Sequence, residues 1–292
     1  MELKVLRNFI TVVEEEGVTA AADVLRISQP ALSRQIKELE DELGATLFTR
    51  GTRSRTLELT REGRLLYRRA QEIIELADRT ASEIATEEEI AGDIHIAAAQ
   101  STVMRTVAKA MMQLRAKHPQ VRVHLHDDYG GNIAERLDNG LADFGVLVQP
   151  TDMSRYDFLP LPGGDVMGVL MRHDYPLASH ERITAADLKY VPVIAPYGVL
   201  VRRDLSGWLK QGNEELNIIG TMNLLYNASC FVEEGYGCAI CPAGLVDTSW
   251  QSGLVFRPLE PERHTQLAIA WKKSQPLTPV AAAFLDELRT VI

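Results

Sequence analysis

Over the first ninety positions, apolar residues recur with the period of amphipathic helices, and capping residues stand in the breaks between runs. Leu3, Leu6, Phe9, Ile10 and Val13 mark a first helix that the pattern ends at Gly17, with Thr19 placed to cap the next. Ala21, Ala22 and Leu25 give a short second helix a small, closely packing face. Leu32, Ile36, Leu39 and Leu43 repeat at 4, 3 and 4 residues, which makes one buried stripe on a third helix. Ser28 stands at the N-cap of that helix, and Pro30 falls in its first turn, where a missing N–H costs nothing. Behind a turn centred on Gly51 the pattern changes to alternation, Leu57 and Leu59 against Thr56, Glu58 and Thr60, which predicts a two-stranded hairpin.

From Thr60 to about Glu89 there is no proline, and the only glycine is Gly63. Leu66, Ala70, Ile73, Ala77, Ala81 and Ile84 recur at helical spacing and predict one helix of roughly 45 Å. A helix so long, with one narrow seam, needs a partner: its own C-terminal domain or the same helix of a second copy. After Gly92 strands and helices alternate, with strands at 93–98, 121–126 and 144–148 and helices at 102–117 and 132–141. A second lobe follows, with strands at 165–171, 191–195, 218–222 and 238–241 and helices near 199–211 and 223–234. A strand at 264–271 and a helix at 279–291 return to the first lobe. This order predicts an α/β domain with a largely parallel sheet. The chain crosses between lobes near 160–164 and 260–264, a hinge that lets a cleft open and close.

The polar residues left off the third helix's stripe are Gln29, Pro30, Ser33, Arg34 and Lys37. A surface helix would favour Glu–Lys pairs there. Gln instead pairs bidentately with adenine, Ser and Arg reach phosphate or guanine, and a helix N-terminus at Ser28 favours phosphate. A helical hairpin with its polar face in water shares this spacing. The hairpin that follows weighs against it, because Arg50, Arg53 and Arg55 project from it as a basic wing. The chain has 31 basic and 40 acidic residues and a net charge of −9. From Leu47 to Arg69, seven arginines face Glu58 and Glu62, a local charge of +5 that leaves −14 on the rest. A basic patch on an acidic protein suits selective binding to nucleic acid over general adhesion.

The run LRNFITVVEEEGVTAAADVLRISQPALSRQIKELEDELGATLFTR resembles the N-terminal signature of LysR-type transcriptional regulators, over about the first 65 residues. The resemblance implies a winged helix-turn-helix DNA-binding domain at 1–59 and a dimerisation linker helix at 60–90. It further implies a two-lobed effector-binding domain at 91–292, similar in fold to periplasmic binding proteins, with lobe I at 91–162 and 265–292 and lobe II at 163–264. It implies that Gln29, Pro30, Ser33 and Arg34 contact an operator and that Arg53 serves the wing. The wing from Arg50 to Thr60 is two residues longer than the family pattern, one strand period, which leaves open which arginine reaches the minor groove. The expected partners are double-stranded DNA with an inverted repeat, RNA polymerase, a small-molecule effector, and further copies of the chain in a dimer or tetramer.

In open α/β sheets ligands lie beyond the carboxyl ends of strands. That rule selects Gln100, Ser101, Thr102 and Gln149 in the first lobe, and 197–201, Met222 and Asn223 in the second, including Leu200 and Val201. Ser101 and Thr102 serve equally well as plain N-caps, and it is the family resemblance that favours an effector site. Arg105 and Arg202 are candidate counter-charges for a carboxylate effector.

Enzymatic chemistry finds little support. No Ser-His-Asp or paired-carboxylate constellation is identifiable, and Gly235-Tyr-Gly237 lacks the third glycine of a dinucleotide loop. His124 and His126 share one strand face but have no third ligand, so no metal and no cofactor is expected. Cys238 and Cys241, three apart on a strand, point to opposite faces and suit burial. A redox-sensing regulator acting through Cys230 and Cys238 is the alternative function, and a solute-binding α/β protein that does not bind DNA is another. No apolar run nears 18 residues and no charged-then-apolar leader is present, which predicts a cytoplasmic protein without a membrane span.

Overall fold

The computed structural model describes residues 1–50, 57–84, 90–198, 208 and 216–292, and in it the stripes of the first three helices close on one another. α1 (Leu3–Glu14), α2 (Val18–Leu25) and α3 (Gln29–Leu43) bury Leu6, Phe9, Ala21, Ala22, Leu32, Ile36 and Leu39 in one core. The buried amide of Asn8 donates to Gln35 Oε1 at 2.7 Å and sets the rotation of α3 against α1. Three capping details differ from the expectation. α1 closes at Glu14, because Glu15 N–H returns to Thr11 O and Glu16, at φ 52, takes the left-handed turn assigned to Gly17. Gly17 is the extended N-cap of α2, so Thr19 sits inside that helix and caps nothing. Leu43 is 42% exposed, because Gly44 (φ 62) turns the chain immediately after it and Leu47 fills the core instead.

β1 (Phe48–Arg50) and β2 (Leu57–Leu59) form the hairpin, in the register Phe48↔Leu59, Thr49↔Glu58 and Arg50↔Leu57. Glu40 of α3 anchors it, its Oε1 accepting the N–H groups of Leu47 (2.6 Å) and Phe48 (3.3 Å). Thr60 then caps α4 (Arg61–Ile84), its hydroxyl accepting Gly63 N–H at 2.9 Å and donating to Thr46 O at 2.7 Å. Of the expected seam of α4, Leu66 and Ala70 pack in the core of the first three helices, but Ile74 is buried in place of Ile73, which is exposed. The helix packs on α1, where Tyr67 donates to Glu14 and Arg7 pairs with Asp78, and that neighbour selects the face carrying Ala70 and Ile74. Residues 1–87 form one compact unit and residues 88–292 another.

In the second unit, lobe I is a sheet in the order β4–β3–β5–β13–β6. Its strands are β3 (Gly92–Ala98), β4 (Val121–Asp127), β5 (Phe144–Gln149), β6 (Tyr156–Pro160) and β13 (Gln266–Lys272). α5 (Met104–Lys117) and α8 (Pro279–Val291) cover one face and α6 (Gly130–Asp138) the other, which explains why β5 is apolar from Phe144 to Val148. Lobe II runs β10–β9–β11–β7–β12–β8. Its elements are β7 (Met167–Arg172), β8 (Ile183–Thr184), β9 (Pro192–Pro196), β10 (Asn217–Met222), α7 (Leu225–Glu233), β11 (Cys238–Pro242) and β12 (Leu254–Glu260).

Both sheets are mixed, where a largely parallel sheet was expected. β13 inserts antiparallel between β5 and β6, and β7 is antiparallel to both β11 and β12. β7 and β13 follow directly on the two crossings, and an antiparallel neighbour needs no covering crossover helix. The crossings themselves are paired: Leu161 N–H donates to Leu267 O (2.9 Å), Thr265 N–H to Asp165 O (2.9 Å) and Met167 N–H to Arg263 O (2.7 Å). The hinge is thus a short two-stranded ribbon. Of the helix expected near 199–211, only Trp208 is among the described residues; it is buried and donates to Glu260 O at 3.0 Å.

Candidate nucleic-acid interface and ligand cleft

Ser28 accepts the Ala31 N–H at 3.4 Å, so the first turn of α3 starts at a capped, N–H-rich end. Gln29, Pro30, Arg34 and Lys37 are exposed beside it and Ser33 is half-buried, while Leu32, Ile36 and Leu39 hold the opposite side in the core. Gln29 donates to Ser33 Oγ at 2.8 Å, and Arg34, with its side chain 82% exposed, pairs with Glu38 at 2.8 Å. These contacts are one helical turn long and solvent-facing, so little energy holds the side chains away from another partner. Arg50 ends β1 opposite Leu57, while Arg53 and Arg55 lie outside the described residues.

A cavity of about 100 Å³ lies between the two lobes. Lobe I lines it with Ala99, Gln100, Asp128, Tyr129, Gly130 and Val148. Lobe II contributes Met167, Pro196, Gly198, Met222, Asn223, Leu224, Leu225, Cys241, Pro242 and Leu245, and Thr265 comes from the second crossing. Of the residues selected from sequence, Gln100, Met222 and Asn223 therefore come together at the cleft. Ser101 is buried, its hydroxyl accepting Val103 N–H at 3.0 Å. Thr102 turns to Asp165, donating its N–H at 2.9 Å and its hydroxyl to the same carboxylate oxygen. Gln149 folds onto its own loop, accepting Thr151 N–H at 3.2 Å, and its neighbour Val148 lines the cavity. Arg105 is exposed on α5 and outside the lining, and Leu200, Val201 and Arg202 lie outside the described residues.

Asp128, Tyr129 and Gly130 were missed, although they follow the carboxyl end of β4 and the rule that selected Gln100 applies to them equally. Asp165 carried no local signal, since its partner Thr102 is 63 residues away in sequence.

Cys238 and Cys241 enter different cores on opposite faces of β11. Burial pushes their thiols up to about 11 and about 12, so both stay protonated and unreactive at neutral pH. Cys230 is exposed on α7. These environments give no support to a Cys230–Cys238 redox pair. His124 stacks on His95 at 4.7 Å with its Nε2 3.3 Å from Asp93 Oδ1. Although Asp93 is partly desolvated, bonds from Arg122 and His124 outweigh that and hold its carboxyl below the usual range. No group of three metal-ligating side chains occurs among the described residues, nor does any helix long and apolar enough to cross a membrane.

Comparison with known proteins matches both units. The family model "Bacterial regulatory helix-turn-helix protein, lysR family" matches residues 3–64, and the model "LysR substrate binding domain" matches residues 87–292. The chain is 28% identical over 281 residues to the HTH-type transcriptional regulator YvbU of Bacillus subtilis (strain 168), covering 95% of this chain and 94% of that one. It is 28% identical over 282 residues to the Hca operon transcriptional activator HcaR of Escherichia coli (strain K12), covering 94% and 93%. In fold it is similar to CbnR, a LysR family transcriptional regulator, with a TM-score of 0.76 at 22% identity over 100% of this chain and 99% of that one.

Proposed function

The chain belongs to the LysR family of bacterial regulatory helix-turn-helix proteins and is a DNA-binding transcriptional regulator with an effector-binding domain, and on that premise we propose how its residues divide the work. The capped end of α3 enters the major groove, with Gln29 reading a base edge, Ser28, Pro30 and Ser33 fitting the backbone, and Arg34 and Lys37 reaching phosphate or guanine. Arg50, Arg53 and Arg55 of the wing follow the phosphates or the adjacent minor groove. Residues 1–59 act as the reading head, 60–90 as the dimerisation helix and 91–292 as the effector-binding part.

Leu65, Ile73 and Leu76 remain exposed on α4, and a second copy covers them, so that two reading heads meet the half-sites of an inverted repeat. A small effector enters the interlobe cavity and changes the setting of the lobes about the paired crossings, altering operator affinity or bending by a coupling of about 1–3 kcal/mol. RNA polymerase reads the result, and the protein works in the cytoplasm. We assign it no catalytic step.

The observation that carries this reading is the division of α3 into a locked apolar side and an exposed Gln29–Arg34–Lys37 edge beside a capped helix start. Fluorescence anisotropy with fragments of the gene's own promoter, at fixed moderate salt, tests it. Wild type binds a fragment containing an inverted repeat, and the Gln29→Ala, Arg34→Ala double variant loses at least about tenfold in affinity. Equal binding by the two proteins would remove α3 from the groove.

A further inference from the structure

At three helix starts around the interlobe cavity, N–H groups are met by oxygen atoms of the chain. At α5, Asp165 Oδ1 takes both the N–H (2.9 Å) and the hydroxyl of Thr102. At α6, Asp128 Oδ1 takes the Tyr129 N–H at 2.8 Å. At α7, Asn223 Oδ1 takes the Leu224 N–H and Gln100 Oε1 the Leu225 N–H, each at 3.0 Å. At the start of α6 the Asp128 carboxylate itself stands where a helix end favours negative charge. Two of the three sets are filled by side chains that themselves carry negative charge.

Asp128 lines the cavity with its side chain only 15% exposed. Its fixed partners are neutral, the Tyr129 N–H and the Asn132 amide at 2.7 Å, with His126 Nε2 at 4.0 Å. Each carboxylate oxygen has two lone pairs, so acceptor capacity is left over. Among the described residues no lysine or arginine lines the cavity. The rest of the wall is largely apolar, with Val148, Met167, Met222, Leu225 and Leu245. Beside Asp128, the Tyr129 ring meets Tyr197 of the opposite lobe edge-on at 5.4 Å. A shielded carboxylate next to aromatic rings attracts a positive charge, and a ligand anion there would be repelled by Asp128.

We propose that the effector is a small organic ammonium ion, held by Asp128 and the Tyr129 ring with its apolar body against Val148, Met167 and Met222. Asp128 disfavours carboxylates, the class expected from Arg105 and Arg202. This rests on the reading that the cleft is the effector site.

Calorimetric titration of the full-length protein at fixed salt tests the assignment, with two matched sets as probes: benzylamine, benzyl alcohol and benzoate, and butylamine, butanol and butyrate. The amines bind about tenfold more tightly than the alcohols, and the acids give no heat. Asp128→Asn, which keeps the helix cap, removes the preference for amine over alcohol. Acids or alcohols that bind as well as amines, and lose binding when Met222→Trp fills the cavity, overturn the charge assignment and leave the cleft as the ligand site. Amine binding that survives Met222→Trp overturns the cleft reading as well. Silence from all six probes overturns the ammonium assignment.

Discussion

Gln100, at the end of β3, accepts the backbone N–H of Leu225, at the start of α7, with Oε1 3.0 Å from the nitrogen. The bond spans the cleft, and the Tyr129–Tyr197 ring contact spans it again. Gln100 thus both lines the cavity and ties the lobes together. Gln100→Ala leaves the Leu225 amide without its partner, a loss of about 1 kcal/mol, or roughly fivefold in local opening. Hydrogen exchange at the start of α7 is expected to speed up by that factor, with operator affinity in the absence of effector unchanged. Unaltered exchange would show that the lobes are held by other contacts.

Arg34 reaches DNA only by leaving Glu38, and Glu38 itself sets a negative charge on the exposed side of α3. Arg34→Ala is expected to weaken operator binding by about 1–3 kcal/mol, roughly five- to 150-fold. Glu38→Gln is expected to tighten it and to reduce its salt sensitivity little, since no phosphate contact is lost. Anisotropy over a salt series checks both.

Gly63 sits in the first turn of α4, where an added Cβ would lie 2.1 Å from the Leu47 carbonyl oxygen and 2.9 Å from Leu59. Gly63→Ala forces the helix away from the hairpin it caps and is expected to destabilise the N-terminal unit by about 1–3 kcal/mol. Thermal unfolding should show the loss in that unit, with effector binding retained.

Cys230 is exposed, whereas Cys238 and Cys241 are buried with raised pKa values. In native protein near neutral pH, a disulfide reagent is expected to modify one thiol quickly and the other two only on unfolding. The raised values also fix a sign. Below the ordinary thiol value near 9 the full contribution to stability is present, and it is lost as pH climbs towards 11 and the unfolded chain sheds protons first. Denaturant midpoints measured from pH 8 upward should fall less steeply in Cys238→Ala than in wild type.

Leu65 and Leu76 are exposed on α4, away from the face that Ala70 and Ile74 bury. Replacing both with lysine is expected to shift sedimentation towards monomer while leaving the fold of the N-terminal unit intact, because neither side chain belongs to its core. An unchanged oligomer would move the pairing surface elsewhere.

Much of this protein was legible one residue type at a time. The 4-3-4 stripe of α3, the Ser28–Pro30 start, the alternation around Leu57 and Leu59 and the apolar run Phe144–Val148 of β5 each record a local period that burial on one or both faces imposes. The opposite facing of Cys238 and Cys241 follows from strand geometry alone. Topology then placed Gln100 and Asn223 at the cleft, because strand ends and helix starts meet there whatever the side chains.

Tertiary neighbours decided what remained. The stripe on α4 is set by α1 rather than by its own periodicity, so Ile74 turns inward and Ile73 outward. Glu16 makes the turn assigned to Gly17, where the Glu15 and Glu16 N–H groups close onto Thr11 O and Val13 O, and the strands after the crossings run antiparallel because they pair with distant backbone. Above all, whether Thr102 offers its N–H to a ligand or to the chain itself depends on Asp165, which only folding brings within reach. Periodicity reports which side of an element is buried; the identity of what it is buried against depends on contacts that span the whole chain.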